Sequence, residues 1–383
     1  MTGTSVIEIN RSALIHNLTF LRNFLGEQVK ISSVIKANAY GHGIEEFVSI
    51  AESAGIDHFA VFSGDEAMRV CQVKDKDSQI MVMGWMSDEE LDWAVENEIE
   101  FFVFEQEKLE EALRIAKTKG KRAIIHIEVE TGMNRTGFSQ KDLYKVVKIL
   151  KENSEHFIIK GLCTHYAGAE SIANHVRVQR QIKKYNRIHK WLTNRGIEPE
   201  LRHTACSAAA MTYPKTRMDM VRIGILQYGF WPSPETFIHF VHKRMEKTNP
   251  LQRVLSWKSQ VMSIKKVQAG EFVSYGTYYM AQEEKTIAVV PVGYSHGYSR
   301  SLSNQGRVLI EGHRVPVIGV VNMNMLIADV SQIEDVKKGD EVVLIGDQDG
   351  VTITLSSFAD FNNQLNYELL ARLPINIPRK IIN

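Results

Sequence analysis

Cysteine is scarce: Cys71, Cys163 and Cys206 are the only three in 383 residues, widely spaced and without a C-x-x-C pair. An odd, scattered set excludes a disulfide framework and offers no thiolate metal site, so no metal is expected. An excess of charge of either sign is missing too. Forty-six Lys and Arg face 45 Asp and Glu, a net charge of +1, and no basic run stands out, so nothing points to nucleic acid. No apolar run approaches the roughly 20 residues that span a bilayer. The opening M-T-G-T-S-V-I-E-I-N has neither the basic nor the apolar part of a secretory signal. The expectation is a cytoplasmic protein without membrane partners. Fixed-period repeats and low-complexity linkers are absent as well.

What is present is an ordinary globular composition, 44% hydrophobic and 24% charged, in a chain long enough for two cores. From about residue 30 to 226, short apolar runs alternate with helical patterns. The predicted strands are 31–37, 58–62, 80–85, 101–104, 123–130, 158–165, 200–206 and 218–225, mostly β-branched, as strands buried on both faces should be. Between them Leu109, Ala112, Leu113 and Ala116 fall at helical spacing, as do Leu143, Val146, Val147 and Leu150. Eight strands interleaved with helices predict an α/β (β/α)8 TIM barrel. An open doubly wound sheet is the rival, but the first strand–helix junction lacks G-x-G-x-x-G. After about residue 240, strands at 286–292, 307–310, 315–321 and 341–345 are separated by turn signals such as S-N-Q-G and K-K-G-D, a β-rich texture. The expected domains are an N-terminal strand at 1–10 joining the C-terminal part, a barrel at 11–238 and a β-strand domain at 239–383.

In a barrel, the C-terminal strand ends converge on one mouth, where active sites are built. Lys36, Arg135, His165, Ser207 and Arg222 all fall at or after predicted strand ends. A lysine in such a place is ordinarily a snorkelling side chain, and a strand arginine ordinarily pairs with an inward carboxylate. The sequence A-N-A-Y-G-H-G after Lys36 favours another reading. Its two glycines permit a tight turn whose N–H groups approach a bound anion, and Tyr40 adds a phenol. A desolvated lysine amine is a nucleophile.

Seven segments then fall into one pattern: V-I-K-A-N-A-Y-G-H-G, V-E-T-G-M-N-R-T-G-F, G-L-C-T-H-Y-A, M-V-R-I-G-I, V-S-Y-G-T-Y-Y, P-V-G-Y-S-H-G-Y and N-Y-E-L-L-A-R-L-P. In order and spacing the chain resembles the pyridoxal-phosphate-dependent alanine racemases over nearly its full length. The resemblance implies a barrel followed by a β domain, a head-to-tail homodimer, and a D-alanine-forming isomerase that supplies a peptidoglycan precursor. Lys36 matches the lysine that bonds the pyridoxal 5'-phosphate cofactor and serves as one base. Tyr275 matches the second base, which reaches into the partner's site. Arg222 matches the arginine facing the pyridine nitrogen, and His165 the histidine that links it to the tyrosine. Tyr40, Ser207, Gly224, Ile225 and Tyr367 match phosphate-holding positions. Arg135 matches the arginine near the cofactor's phenolic oxygen, Met323 and Asn324 match partner residues near the substrate carboxylate, and Tyr278 and Tyr294 line the way in.

Three departures stand out. The family's carbamylated lysine is Glu128 here, expected to supply the negative charge toward Arg135 without carbamylation. On a strand it shares a face with His126 and Glu130. C-M-D reads Asn322-Met323-Asn324, and an aspartate of the G-Y-A-D-G-Y segment is His296, so negative charge is lost twice. Retention of Tyr367 implies a small substrate side chain, alanine first and serine next; racemisation of lysine, ornithine or arginine is the nearest alternative. A cofactor-carrying binding protein would lack the β domain. A decarboxylase of similar fold would place a cysteine where Tyr275 stands.

Overall fold

A computed structural model describes residues 3–242, 244–245, 247–355 and 366–383. The chain forms two compact units whose segments interleave. One comprises the N-terminal residues through Ser12, Asn38–Phe47 and everything from Arg253 onward; the other comprises Ala13–Ala37 and Val48–Gln252.

The strands, in chain order, are β1 (Ser5–Asn10), β2 (Lys30–Val34), β3 (His58–Val61), β4 (Gln79–Val82), β5 (Glu100–Val103), β6 (Ala123–Glu128), β7 (Phe157–Cys163), β8 (Leu201–His203) and β9 (Met220–Ile223). They continue as β10 (Leu255–Gln260), β11 (Ser263–Val267), β12 (Lys285–Val290), β13 (Arg307–Ile310), β14 (His313–Pro316), β15 (Leu326–Asp329), β16 (Glu341–Gln348), β17 (Val351–Ile353) and β18 (Arg379–Ile382).

The second-named unit is the barrel. Its parallel sheet runs β8-β7-β6-β5-β4-β3-β2-β9, with β2 beside β9 in register Ile31↔Val221. The N–H groups of Asp219 and Arg222 donate to the carbonyls of Arg202 and Ala205, bringing β9 against the β8 segment and closing the ring. Apolar faces of the outer helices explain the alternation. On the helix Asp142–Glu152 the buried residues are Leu143, Val146, Val147 and Leu150, as expected. On Gln106–Lys119 they are Leu109, Ala112, Ile115 and Ala116, so Ile115 rather than Leu113 turns inward. Burying a leucine- or isoleucine-sized side chain contributes roughly 1.5–3 kcal/mol, so each four-residue face anchors its helix. The barrel strands are shorter than the apolar runs that announced them. β2 stops at Val34 and β9 at Ile223, because the chain beyond turns into mouth loops.

The other unit is antiparallel for the most part. β1 lies between β10 (antiparallel) and β18 (parallel), within the order β14-β13-β16-β10-β1-β18. A second sheet, β11-β12-β15, packs Val267, Val273, Ala281, Ile287, Ile318 and Ile327 into a small core. The single run expected at 315–321 is instead half of a hairpin. β13 and β14 join through Glu311 and Gly312, both at positive φ, which the tight two-residue turn demands. The join between units falls at Gln252/Arg253 rather than at 238/239. The helix Pro234–His242 stays with the barrel because Phe240 packs edge-on against Phe20 and Phe24. Among the described residues no helix is long and apolar enough to cross a membrane, and no His/Cys/Asp/Glu cluster could hold a metal.

Candidate active site

Lys36 lies two residues beyond β2, at the mouth. Burial and the positive charges of Arg135 and Arg222 pull its amine below the usual lysine value, against the opposing pull of Glu66. A larger neutral fraction makes a better nucleophile and a better base. Glu66, buried on the helix Gly64–Val73, holds the N–H of Phe62 at 3.0 Å. It was not anticipated, because an acid in a helix's first turn ordinarily reads as a dipole partner.

The next four residues, Ala37 to Tyr40, all have φ between 51° and 53°. This is a left-handed turn built without glycine, at roughly 1–2 kcal/mol per residue. Gly41 and Gly43 continue it at φ 77° and 97°, and Gly41 is obligatory for a second reason: a Cβ there would sit 2.2 Å from the Leu370 carbonyl oxygen. The Arg379 guanidinium donates to Gly41 O at 2.9 and 3.2 Å. His42 is buried, its Nδ1 within 3.0 Å of the carbonyls of Ala39 and Tyr40. Strain of this kind persists where surroundings over-determine the backbone, and it concentrates at functional sites. Tyr40 meets Tyr367 with ring centroids 6.1 Å apart, so two of the expected phosphate ligands stand together.

Arg222, late in β9 and 5% exposed, donates to His203 Nδ1 (2.6 Å), His203 O (2.6 Å) and Thr164 O (2.8 Å). The histidine bonded to it is therefore His203, not the expected His165. His165 lies two residues past β7, and its link to Arg222 is through charge. Burial, then Arg222, Arg135 and Lys36, push its imidazole down to about 3, so it is neutral at any ordinary pH. Nearby, the Gly224 N–H donates to Ser207 Oγ at 2.9 Å, leaving the hydroxyl proton to serve another acceptor. Ile225 follows, starting a short 3-10 turn.

Arg135 is exposed in the loop after β6. Glu128, expected to supply negative charge toward Arg135, makes no ion pair with it. Glu128 is buried, which pushes its carboxyl up, and it takes the Thr136 hydroxyl instead; Arg222 and Arg135 act on it only through charge. Its side chain is too short to span the distance a carbamylated lysine covers. Glu130, expected on the same face, lies past the strand end and caps the loop through the N–H groups of Gly132 and Asn134.

In the β-rich unit, Tyr275 stands 72% exposed between Ser274 and Gly276, at φ 70° and 69°. Ser274 Oγ lies 2.8 Å from Val320 O and 3.1 Å from Asn322 Oδ1, its one proton shared between them, and this ties the projecting tyrosine to the Asn322–Asn324 segment. Tyr278, Tyr294 and Met323 are exposed on the same unit. The N–H groups of Tyr294 and Ser295 donate to Asn322 O and Met323 O, each at 3.0 Å, an approach that only Gly293 permits. Asn324 Nδ2 donates to Ser295 Oγ at 2.9 Å. His296 is occupied on both ring nitrogens, Nε2 lying 3.1 Å from Thr4 Oγ1 near the N-terminus and Nδ1 accepting the Gly293 N–H at 3.3 Å.

A barrel mouth holding a depressed amine beside a fixed guanidinium is equipped for carbonyl–amine chemistry. The family models of the alanine racemase N-terminal and C-terminal domains match residues 9–232 and 254–381. An alanine racemase of Clostridium perfringens is 35% identical over 376 residues, covering 97% of this chain and 94% of its own. The solved alanine racemase of Clostridium difficile 630 superposes with a TM-score of 0.91 at 30% identity, covering 100% of this chain and 96% of that one. That of Bartonella henselae, solved with covalently bound pyridoxal phosphate, gives 0.84 at 26% identity, covering 99% and 100%. The chain belongs to the alanine racemase family.

Proposed function

We propose that the protein interconverts L- and D-alanine, using pyridoxal 5'-phosphate bonded to Lys36 and working as a head-to-tail homodimer. The observation that carries this reading is the half-buried, depressed amine of Lys36 at the barrel mouth, within the field of the anchored guanidinium of Arg222. The donor set suits the cofactor: an amine for its aldehyde, the Ser207 hydroxyl with the Gly224–Ile225 turn and the Tyr40–Tyr367 pair for its phosphate, and Arg222 for its ring. When bound, the cofactor supplies an electron-withdrawing ring that acidifies the amino acid's α-proton. Arg222 can donate but never accept, so it would leave a ring nitrogen held against it unprotonated. Such a weakened electron sink favours simple return of the proton over side reactions.

Lys36 takes or returns the α-proton on one face, and Tyr275 of the partner subunit does so on the other. A phenol with a reference pKa of about 10 needs help to act as a base, which fixed positive charge at the mouth provides. The outward thrust of Tyr275, with Tyr278, Met280, Tyr294, Met323 and Met325 also exposed on that unit, supports a surface made for a second copy. Met323 and Asn324 of the partner subunit and Arg135 would then hold the substrate carboxylate and the cofactor's phenolic oxygen. Retention of Tyr367, which stands beside Tyr40, favours a small substrate side chain, so we read alanine first, ahead of serine and of the basic amino acids.

The test is D-alanine formed from L-alanine by purified protein with visible cofactor absorbance. Lys36→Ala abolishes both. Tyr275→Phe keeps the absorbance and loses turnover; full turnover in Tyr275→Phe overturns the two-base reading.

A further inference from the structure

The barrel interior contains a polar chain that the chemistry above uses only at its Arg222 end. Ser32 on β2, His58 on β3, Glu100 on β5, His126 on β6, His203 on β8 and Arg222 on β9 are each at most 5% exposed. Ser32 Oγ is 2.9 Å from His58 Nδ1. His58 Nε2 and His126 Nε2 both reach Glu100 Oε2, at 3.0 and 2.8 Å. His126 Nδ1 lies 2.8 Å from His203 Nε2, and His203 Nδ1 lies 2.6 Å from Arg222. Two of these bonds join strands that are not neighbours in the sheet, β3 with β5 and β6 with β8, so the chain crosses the inside of the ring.

The protons in this chain can be placed from either end. Arginine only donates, so His203 Nδ1 carries a lone pair and the imidazole's proton is on Nε2. That proton goes to His126 Nδ1, which must accept, so His126 carries its own proton on Nε2. A carboxylate only accepts, and Glu100 receives that proton's hydrogen bond. The two ends agree. Reverse the tautomer of His126 and its Nδ1–H faces His203 Nε2, which must then accept. His203 is left with a proton on Nδ1, pointed at a guanidinium that has nothing but donors.

The backbone has made room for this link. β6 and β7 slip register between Ile125 and His126, so that His126 pairs with Gly161. A Cβ on Gly161 would lie 2.0 Å from His126 Nδ1 and 2.6 Å from His203 Nε2. The bond from β6 to β8 passes over β7 at the one place where β7 has no side chain. Phe102 flanks both rings, with centroids 5.9 and 5.8 Å away, and underlies the Arg222 guanidinium at 5.8 Å.

We propose that Glu100 is a positioning residue for Arg222, acting through His126 and His203 by fixing which nitrogen of each ring holds the proton. Buried anions are retained where they are paired and hydrogen-bonded, and this one orients a cation two imidazoles away. The catalytic consequence rests on the reading that Arg222 faces the cofactor ring; the tautomer assignment does not.

The test uses protein carrying 15N-histidine, as purified and again saturated with pyridoxal phosphate, with His203 and His126 assigned by their single Asn variants. In the unaltered protein both rings are neutral and protonated on Nε2. A proton on His203 Nδ1, or an imidazolium at His126, overturns the proposal without any variant. Glu100→Leu removes the terminal acceptor, and Gly161→Ala breaks the His126–His203 bond while leaving both Glu100 and Arg222 in place. Each is expected to disturb the His203 tautomer and to lower kcat roughly tenfold or more, with KM for alanine within about twofold. Glu100→Gln keeps an acceptor oxygen and should retain the tautomers and most of kcat. A Gln variant as impaired as the Leu variant overturns tautomer control in favour of charge. Intact tautomers in both Glu100→Leu and Gly161→Ala overturn the proposal outright. Correct tautomers in a protein that racemises nothing would instead refute the functional reading and leave the positioning role standing.

Discussion

Arg222 and His203 are joined twice: one guanidinium nitrogen donates to both Nδ1 and the carbonyl oxygen of the same histidine, each at 2.6 Å. The side chain is thereby held in one plane on a short strand. Its charge is felt by Lys36 and His165, whose protonation it opposes.

Removing that charge should be visible at His165. Arg222→Met takes away the largest cationic influence on the ring, after which its pKa rises from about 3 toward the ordinary histidine value. Titration of the His165 resonances in the variant measures this. An unmoved titration would show that the Arg222 charge does not set the protonation of the ring.

Acid should weaken the fold well above the usual carboxylate range. His42 and His165 are held neutral at about 4 and about 3, against 6.5 for each when unfolded. A histidine with a lowered native pKa contributes stability that is complete above 6.5 and is lost as pH falls toward the native value. The loss approaches roughly 3–5 kcal/mol for each ring once the pH reaches its native value. Glu100 has the same sign lower down. Burial raises its carboxyl, but the bonds from His126 and His58 hold it well below the ordinary value, so its share disappears only below about pH 4.5. Urea midpoints measured from about pH 7.5 down to 5 should fall steadily, with most of the change below 6.5.

The left-handed turn makes two opposite predictions. Ala37 is exposed at φ 53°, so Ala37→Gly relieves strain without removing packing and should raise the urea midpoint by about 1 kcal/mol of stability. Gly41→Ala meets both a positive φ and the Leu370 carbonyl, and should cost about 2–4 kcal/mol by the same measurement.

Sharing of sites between subunits is tested by mixing inactive variants. Lys36→Ala and Tyr275→Phe, co-expressed, form hybrids in which one site carries both lesions and the other neither. With random pairing about half the dimers are hybrids, and about a quarter of normal racemase activity returns. No recovery means that Lys36 and Tyr275 act from the same chain.

Much of this was legible in the sequence for identifiable reasons. Buried parallel strands are short apolar runs and their helices keep a 3.6-residue period, so the barrel order and the face of Asp142–Glu152 could be read directly. The mouth lysine and arginine followed from strand ends. The turn after Lys36 could not be read beyond its glycines, because Ala37, Ala39 and Tyr40 disfavour the conformation they adopt. Glu100 and His203 were hidden for a different reason. Each sits in a short strand with no local motif around it, and its partners lie on other strands, 19 to 77 residues away in sequence. His126 and Glu128 could be placed on one face by alternation, yet nothing local told that one would join the chain to Arg222 and the other turn to Thr136.

The position of β1 has a consequence for the order in which the molecule is made. Ser5–Asn10 leaves the ribosome well before its sheet neighbours, Leu255–Gln260 and Arg379–Ile382. At roughly 5–20 residues per second, the first strand waits many seconds for one neighbour and longer for the other. The barrel's own segments are complete in the meantime. Synthesis thus separates the two units in time, and the β-rich one completes the pairing of β1 only after Arg379–Ile382 has emerged.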